Sequence, residues 1–212
     1  MTHRYWPIFD LRLTTPDLTL RPTTEADLEM VADQLPDDVD MDPAATTYGL
    51  ADARTERGVT ISQSYWKAFG TWSPAAWRLN FVVFADGEFV GAQEVEGNDF
   101  LKLRTVDSAS FLLPSARGRG WGKQMRTAVL SFAFNQLDAK AAITSAFHDN
   151  HASLGVSRSL GYQPNGESFL ARDADVDLLV HLRLTRADWD ASGLGKDVTV
   201  NAFEPCRPFF GL

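Results

Sequence analysis

The residues with most to say about chemistry fall in one run, Arg117-Gly118-Arg119-Gly120-Trp121-Gly122-Lys123. Three glycines alternate with larger residues between a β-rich apolar segment and a helical pattern. Such a loop can present several successive main-chain N–H groups at a helix N-terminus. Unpaired amides and the positive end of the helix dipole favour an anion there, and glycine lets phosphate oxygens approach with no Cβ in the way. Arg117, Arg119 and Lys123 add positive charge. A Walker loop would need glycine at position 117 and Ser or Thr at 124, which are Arg117 and Gln124. A dinucleotide fingerprint would need a third glycine where Lys123 stands, and an acidic residue farther along a parallel βαβ unit. Both are excluded. The bland alternative is a packing turn with solvated arginines, which the strand-before, helix-after setting disfavours.

Several elements must hold this loop. Val106 to Leu113 reads as a strand, with Asp107, Ala109 and Phe111 on one face and Ser108, Ser110 and Leu112 on the other. After the loop, Met125, Val129, Phe132 and Gln136 line one stripe of a helix of about four turns, with Ala128, Ala133 and Leu137 beside it. Upstream, Leu18 to Arg21 is a short extended run, and Thr24 is placed to cap a helix over Ala26 to Gln34. Asp37, Asp38, Asp40 and Asp42 then repel one another into a solvated loop ending at Pro43. A helix is expected over Gln63 to Phe69, a strand over Leu79 to Phe84, a hairpin turn at Asp86-Gly87, and the partner strand over Phe89 to Val95. Downstream come a strand over Ala141 to Phe147, a helix over Ala152 to Leu160 stopped by Gly161, and strands over Phe169 to Arg172 and Asp177 to Thr185. The fold class is α+β, a mixed and mostly antiparallel sheet with flanking helices.

Arg117-x-x-Gly120-x-Gly122, Asn150-x-x-Ser153 followed by Leu160-Gly161-Tyr162, and the closing Leu184-Thr185-Arg186-x-x-Trp189 occur in that order. The chain thereby resembles the GCN5-related N-acetyltransferases, and within them the RimJ/RimL-like branch. Trp6-Pro7-x-Phe9-Asp10-Leu11-Arg12 and Cys206-Arg207-Pro208-x-Phe210-Gly211 resemble a narrower actinobacterial group that includes a mycobacterial succinyl-CoA-binding member.

The resemblance implies a sheet splayed between the strands equivalent to Val106–Leu113 and Ala141–Phe147, with an acyl thioester in the gap. It implies that the amides from Gly118 to Lys123, with Arg117, Arg119 and Trp121, hold the coenzyme A pyrophosphate. Phe111, Leu112 and Leu113 would pair with the pantetheine amides, and Asn150 and Ser153 would touch the cofactor arm or, alternatively, cap their own helix. A primary amine, on a small molecule or a peptide, would attack the thioester directly. An N–H of Leu112 or Leu113 would meet the oxyanion. Asp107, ten residues before Arg117, matches the position of a strand glutamate in many members and is the first candidate for the base, provided burial raises its pKa; Glu94 and Glu96 compete. Ser157 stands where the family often has the tyrosine that protonates the leaving thiolate, so a tyrosine acid is not expected. Acetyl-CoA is the default donor, with succinyl-CoA as one alternative and a non-catalytic coenzyme A-binding regulatory domain as another.

Composition bounds the rest. The chain has 212 residues and, with 20 Lys and Arg against 28 Asp and Glu, a formal net charge of -8. The length fits one core of roughly 100–200 residues with extensions, here an acyltransferase domain over 1–189 that includes a leading extension over 1–13, and a tail over 190–212 packed on the body or on a partner subunit. A homo-oligomer is compatible with that apolar tail. The acid surplus argues against a nucleic-acid partner; the acidic loop reads first as a solvated charge run and, because the resembled family borders its acceptor site there, alternatively as a segment that attracts a cationic amine. No apolar run reaches the ~18 residues that span a bilayer and no secretory signal opens the chain, so the expectation is a cytoplasmic protein without a membrane partner. One cysteine, Cys206, excludes an internal disulfide, and His3, His148, His151 and His181 show no metal-binding spacing, so no metal is expected.

Overall fold

The computed structural model describes residues 3–40, 45–172 and 175–212. Its central hairpin follows from turn chemistry. The strands β3 (Trp77–Ala85) and β4 (Glu88–Gly97) must reverse over two residues, and Asp86 and Gly87 both adopt positive φ, 49° and 84°, as a twisted two-residue hairpin requires. Numbering the other strands along the chain gives β1 (Arg12–Thr14), β2 (Thr19–Pro22), β5 (Thr105–Leu112), β6 (Ala141–Phe147), β7 (Gln163–Arg172), β8 (Asp175–Thr185) and β9 (Thr199–Asn201). They form one sheet in the order β7-β8-β6-β5-β4-β3-β2-β1-β9. Every neighbouring pair among them is antiparallel except β5 and β6.

Alternation along the strands divides the apolar side chains between two faces. Phe81 and Val83 pack with Val95, Val106, Met125 and Val129, so one face is covered by α4 (Trp121–Ser131), which continues through a π-helical turn over Phe132–Gln136. That continuation accounts for the four turns read from the sequence. Val82, between Phe81 and Val83, points the other way and meets Val31 and Ile61, which belong to α1 (Leu28–Gln34) and α2 (Ala53–Gly70). The remaining helices are α3 (Phe100–Leu103), α5 (His151–Ser159) and α6 (Arg186–Ser192).

Several expectations needed correction. The helix expected over Gln63–Phe69 begins ten residues earlier, with Asp52 as its cap, accepting from Thr55 N. Gly58 and the β-branched Val59, Thr60 and Ile61 weaken the helical signal of its first half. The strand expected from Phe169 starts at Gln163 and runs through Pro164 and Gly166, with its register interrupted between Pro164 and Glu167. Proline and glycine demote such a segment when read alone, and an edge strand tolerates them. The three-residue strands β1 and β9 leave no periodic signal. Around them, Ile8, Leu11 and Leu13 near one terminus and Phe203, Cys206 and Phe210 near the other are all buried in the main core. Among the described residues no helix is long and apolar enough to cross a membrane.

Candidate active site

The glycine loop leaves β5 through a 3-10 turn over Pro114–Ala116 and enters α4 at Gly120. Gly118 and Gly120 have φ of 77° and 79°, a region that costs a residue with a Cβ about 1–2 kcal/mol. The loop does not satisfy its own donors. Among the described residues no acceptor takes the N–H of Gly118, Arg119, Gly120, Trp121 or Gly122, whereas those of Lys123 and Gln124 turn back to Gly120 O at 3.1 and 3.2 Å. Lys123 is exposed, and the exposed Arg119 lays its guanidinium over the Trp121 ring, 5.0 Å from its centroid. Arg117 is engaged elsewhere. Its Nε donates to Leu112 O at 3.2 Å and its two Nη groups clasp Asp38 at 2.6 and 2.8 Å.

Beside this loop the sheet opens. β5 and β6 pair over Thr105–Asp107 and Ala141–Ile143 and no farther, while β6 continues along β8 as far as Phe147. The β5 edge beyond Asp107 therefore lacks a strand on that side. Its orientation follows from the antiparallel ladder with β4. Leu113 N donates to Val90 O at 2.9 Å, so Leu113 and, by alternation, Phe111 turn their main chain to β4, and Leu112, Ser110 and Ser108 turn theirs to the gap. Two contacts agree: Thr144 Oγ1 donates to Ser108 O, and Arg117 to Leu112 O. Of the two expected oxyanion donors, the Leu113 N–H is thus already used and that of Leu112 faces the cleft. A cavity of about 820 Å³ runs through the gap to both faces of the sheet.

The three candidate carboxylates share the α2-side face. Glu96 lies opposite Asp107 in the ladder and Glu94 opposite Ala109. Arg78 reaches Glu96 at 2.6 Å and Glu94 at 3.5 Å. Glu94 lines the cavity; Asp107 does not, while its chain neighbour Ser108 lines it from the other face of the strand. Burial, with the nearby charge of Glu96 acting in the same direction, pushes the Asp107 carboxyl up to about 6, against the pull of a 2.6 Å hydrogen bond from Ser108 N and of the charge on Arg126.

Asn150 and Ser153 line the cavity and also cap α5, with Asn150 Oδ1 accepting from Ser153 N at 3.0 Å. Ser157 is buried and donates to Ser153 O, so its hydroxyl is spent inside the helix. The acidic segment behaves otherwise than expected. Asp37 pairs with Arg57, Asp38 with Arg117 and Asp40 with Arg172, so its charge is answered by arginines on three elements rather than offered to an amine; Asp42 and Pro43 lie outside the described residues. His148, Asp149 and Asp177 bring ligand atoms within 4.8 Å of one another, but the Arg172 guanidinium already bonds both carboxylates at 2.9 Å.

Sequence reading passed over Arg126, which the structure places in the cavity wall and 3% exposed. The signal was present: Arg126 lies three and four residues before Val129 and Leu130, a charge inside an apolar helix face.

A sheet splayed at its single parallel pair, with a glycine loop of unpaired amides at the mouth, sets an anion cradle beside an open strand edge. Residues 17–163 match the acetyltransferase (GNAT) domain family, and the chain belongs to that family. Among solved structures, Mycobacterium smegmatis RimJ in complex with CoA-disulfide is similar at 19% identity, with a TM-score of 0.66, covering 87% of this chain and 95% of that one. Spermidine N-acetyltransferase from Vibrio cholerae, in complex with CoA and spermine, is similar at 13% identity and a TM-score of 0.64, covering 82% and 98%. These likenesses show the GNAT fold.

Proposed function

We propose that the chain is an acyl-CoA-dependent N-acyltransferase that binds donor and amine together and transfers the acyl group by direct attack. The observation that carries this reading is the row of five main-chain N–H groups, Gly118 to Gly122, without an internal acceptor, at the mouth of a cleft whose β5 edge is unpaired. A diphosphate fits the first, with Arg119 and Lys123 beside it, and the amides of a pantetheine arm fit the second as a strand would. The thioester then lies toward the closed end of the gap. An N–H of the open edge, from Leu112 or Ser110, meets the carbonyl oxygen as it gains charge, a contact worth ~3 kcal/mol.

The amine approaches from the α2-side face, where Glu94 lines the wall. Asp107 is the base: with its pKa near 6 it is ionised at neutral pH and accepts a proton more readily than an ordinary carboxylate. The amine lone pair forms the new C–N bond, the C–S bond breaks, and the coenzyme A thiolate leaves. With Ser157 committed to Ser153 O, the thiolate takes its proton from water, which a thiol pKa of ~8.5 allows. The acceptor is a primary amine on a small molecule or a peptide. Calorimetry with coenzyme A, followed by thiol release with acetyl-CoA and a panel of amines, tests the reading. Micromolar binding and turnover are expected; absence of coenzyme A binding overturns it, and binding without turnover on any amine leaves a coenzyme A-binding domain instead.

A further inference from the structure

On the α2-side face, three side chains from adjacent strands meet in a row across β6, β8 and β7. Ser145 lies directly opposite His181 in the β6–β8 ladder, and its Oγ is 2.8 Å from His181 Nδ1. The other ring nitrogen, Nε2, is 2.7 Å from the Oγ of Ser168, whose own ladder partner on β8 is Leu179. Ser145 also lines the cavity. Alternation fixes its side. Asp107 pairs with Ile143 across the parallel ladder, and Ser145, next but one along β6, shares that face, whereas Thr144 between them turns to Arg126. A hydroxyl held on an imidazole whose far nitrogen is fixed by a third group is the arrangement that activates a serine as a nucleophile. In the tautomer with the proton on Nε2, that N–H donates to Ser168 and leaves Nδ1 to accept from the Ser145 hydroxyl. Ser168 then holds the ring, and the nearby Asp107 carboxylate attracts the charge that His181 gains on taking a proton.

We propose that Ser145 takes the acyl group from a coenzyme A thioester when no amine is bound, giving a serine ester that water hydrolyses, so that the chain has a second activity as an acyl-CoA hydrolase. The inference rests on the thioester lying in the β5–β6 gap as proposed above, and Ser145 borders that gap where β6 has parted from β5. Its hydroxyl meets the carbonyl carbon from the side on which the amine approaches, so serine and amine compete for one acyl group. In the first step the bond from Ser145 Oγ to the carbonyl carbon forms, the C–S bond breaks, and the hydroxyl proton passes to His181 Nδ1. That proton goes on to the sulfur, which leaves as the coenzyme A thiol. In the second step water attacks the ester carbon and gives a proton to His181. The ester C–O bond breaks, the free acid departs, and Ser145 recovers its proton from His181. The open-edge N–H that serves amine transfer meets the oxyanion in both steps.

Incubating the full chain with acetyl-CoA and no amine, then following thiol release and mapping acid-quenched samples by mass spectrometry, decides this. Thiol release is expected to be at least ~10-fold faster in the wild type than in Ser145→Ala or His181→Gln, with acetyl mapped to Ser145. Ser168→Ala should slow the release severalfold and Ser168→Thr should restore it, a rescue that marks Ser168 as a positioning residue. Thiol release no faster in the wild type than in Ser145→Ala, or acetyl mapped only to other residues, overturns the inference. With coenzyme A binding shown by calorimetry, either result leaves the acyltransferase reading in place. Should Ser145→Ala not fold, His181→Gln and the mapped position of the acetyl group still decide. If coenzyme A itself does not bind, both readings fall.

Discussion

Replacing Asp107 by asparagine should make the protein more stable and less active at the same time. The carboxyl is held at about 6 against an ordinary 3.8, chiefly by burial. Two pKa units correspond to about 3 kcal/mol, the penalty of keeping this group ionised in the folded chain at neutral pH. The sign follows from the proton: the folded state binds it more tightly than the unfolded state, so the penalty is absent below pH ~4, grows between ~4 and ~6, and is complete above. Asparagine has no charge to desolvate and its carbonyl can still accept from Ser108 N, so roughly 1–3 kcal/mol should be recovered at pH 8 and none at pH 4. For a chain of this length that is about 2–10 °C in Tm. Thermal unfolding at the two pH values measures it. Thiol release measures the other half: kcat should fall at least ~100-fold, the scale of a lost general base, and the rise of kcat/KM through pH 6 should vanish. A variant no more stable at pH 8 than the wild type, or one that keeps the pH 6 limb, would refute the assignment of Asp107.

Gly120→Ala forces a Cβ into a left-handed backbone at the phosphate cradle, so coenzyme A affinity should drop at least tenfold by calorimetry with a stability loss of only about 1–2 kcal/mol. Asp38→Asn releases Arg117, and coenzyme A should bind severalfold tighter while the amine KM stays unchanged; a raised KM would revive the acidic segment as an amine-attracting feature. Ser157→Ala should leave kcat within twofold, because its hydroxyl is bonded to Ser153 O away from the thiolate. Phe210→Ala empties a fully buried site among Trp72, Trp77, Phe132 and Phe203, and should cost about 3–5 kcal/mol in chemical denaturation.

The parts of this molecule legible in sequence are those fixed by local chemistry. Asp86-Gly87 dictates a hairpin, alternation from Val106 divides Asp107 from Ser108, and glycines between a strand and a helix announce a cradle of amides. Local signals fail where tertiary partners decide. The strand from Gln163 survives Pro164 and Gly166 because it is an edge strand paired with β8 on one side, and the first half of α2 survives its β-branched residues because Ile61 packs over Val82 and Val31. The arginine partners of Asp37, Asp38 and Asp40 come from residues 57, 117 and 172, separations that no spacing rule covers.

The same distinction explains how the site divides its work. A strand side chain can face only one side of the sheet, so neighbours on β5 part company: Asp107 projects to the α2-side face with Glu96, Ser108 toward the buried guanidinium of Arg126. Between them the strand edge is left without a partner, because β6 departs after Ile143 to follow β8. One divergence therefore creates two things together, an edge left free for a further strand-like segment and a passage joining the two faces, beside the buried Asp107 whose carboxyl burial pushes up to about 6.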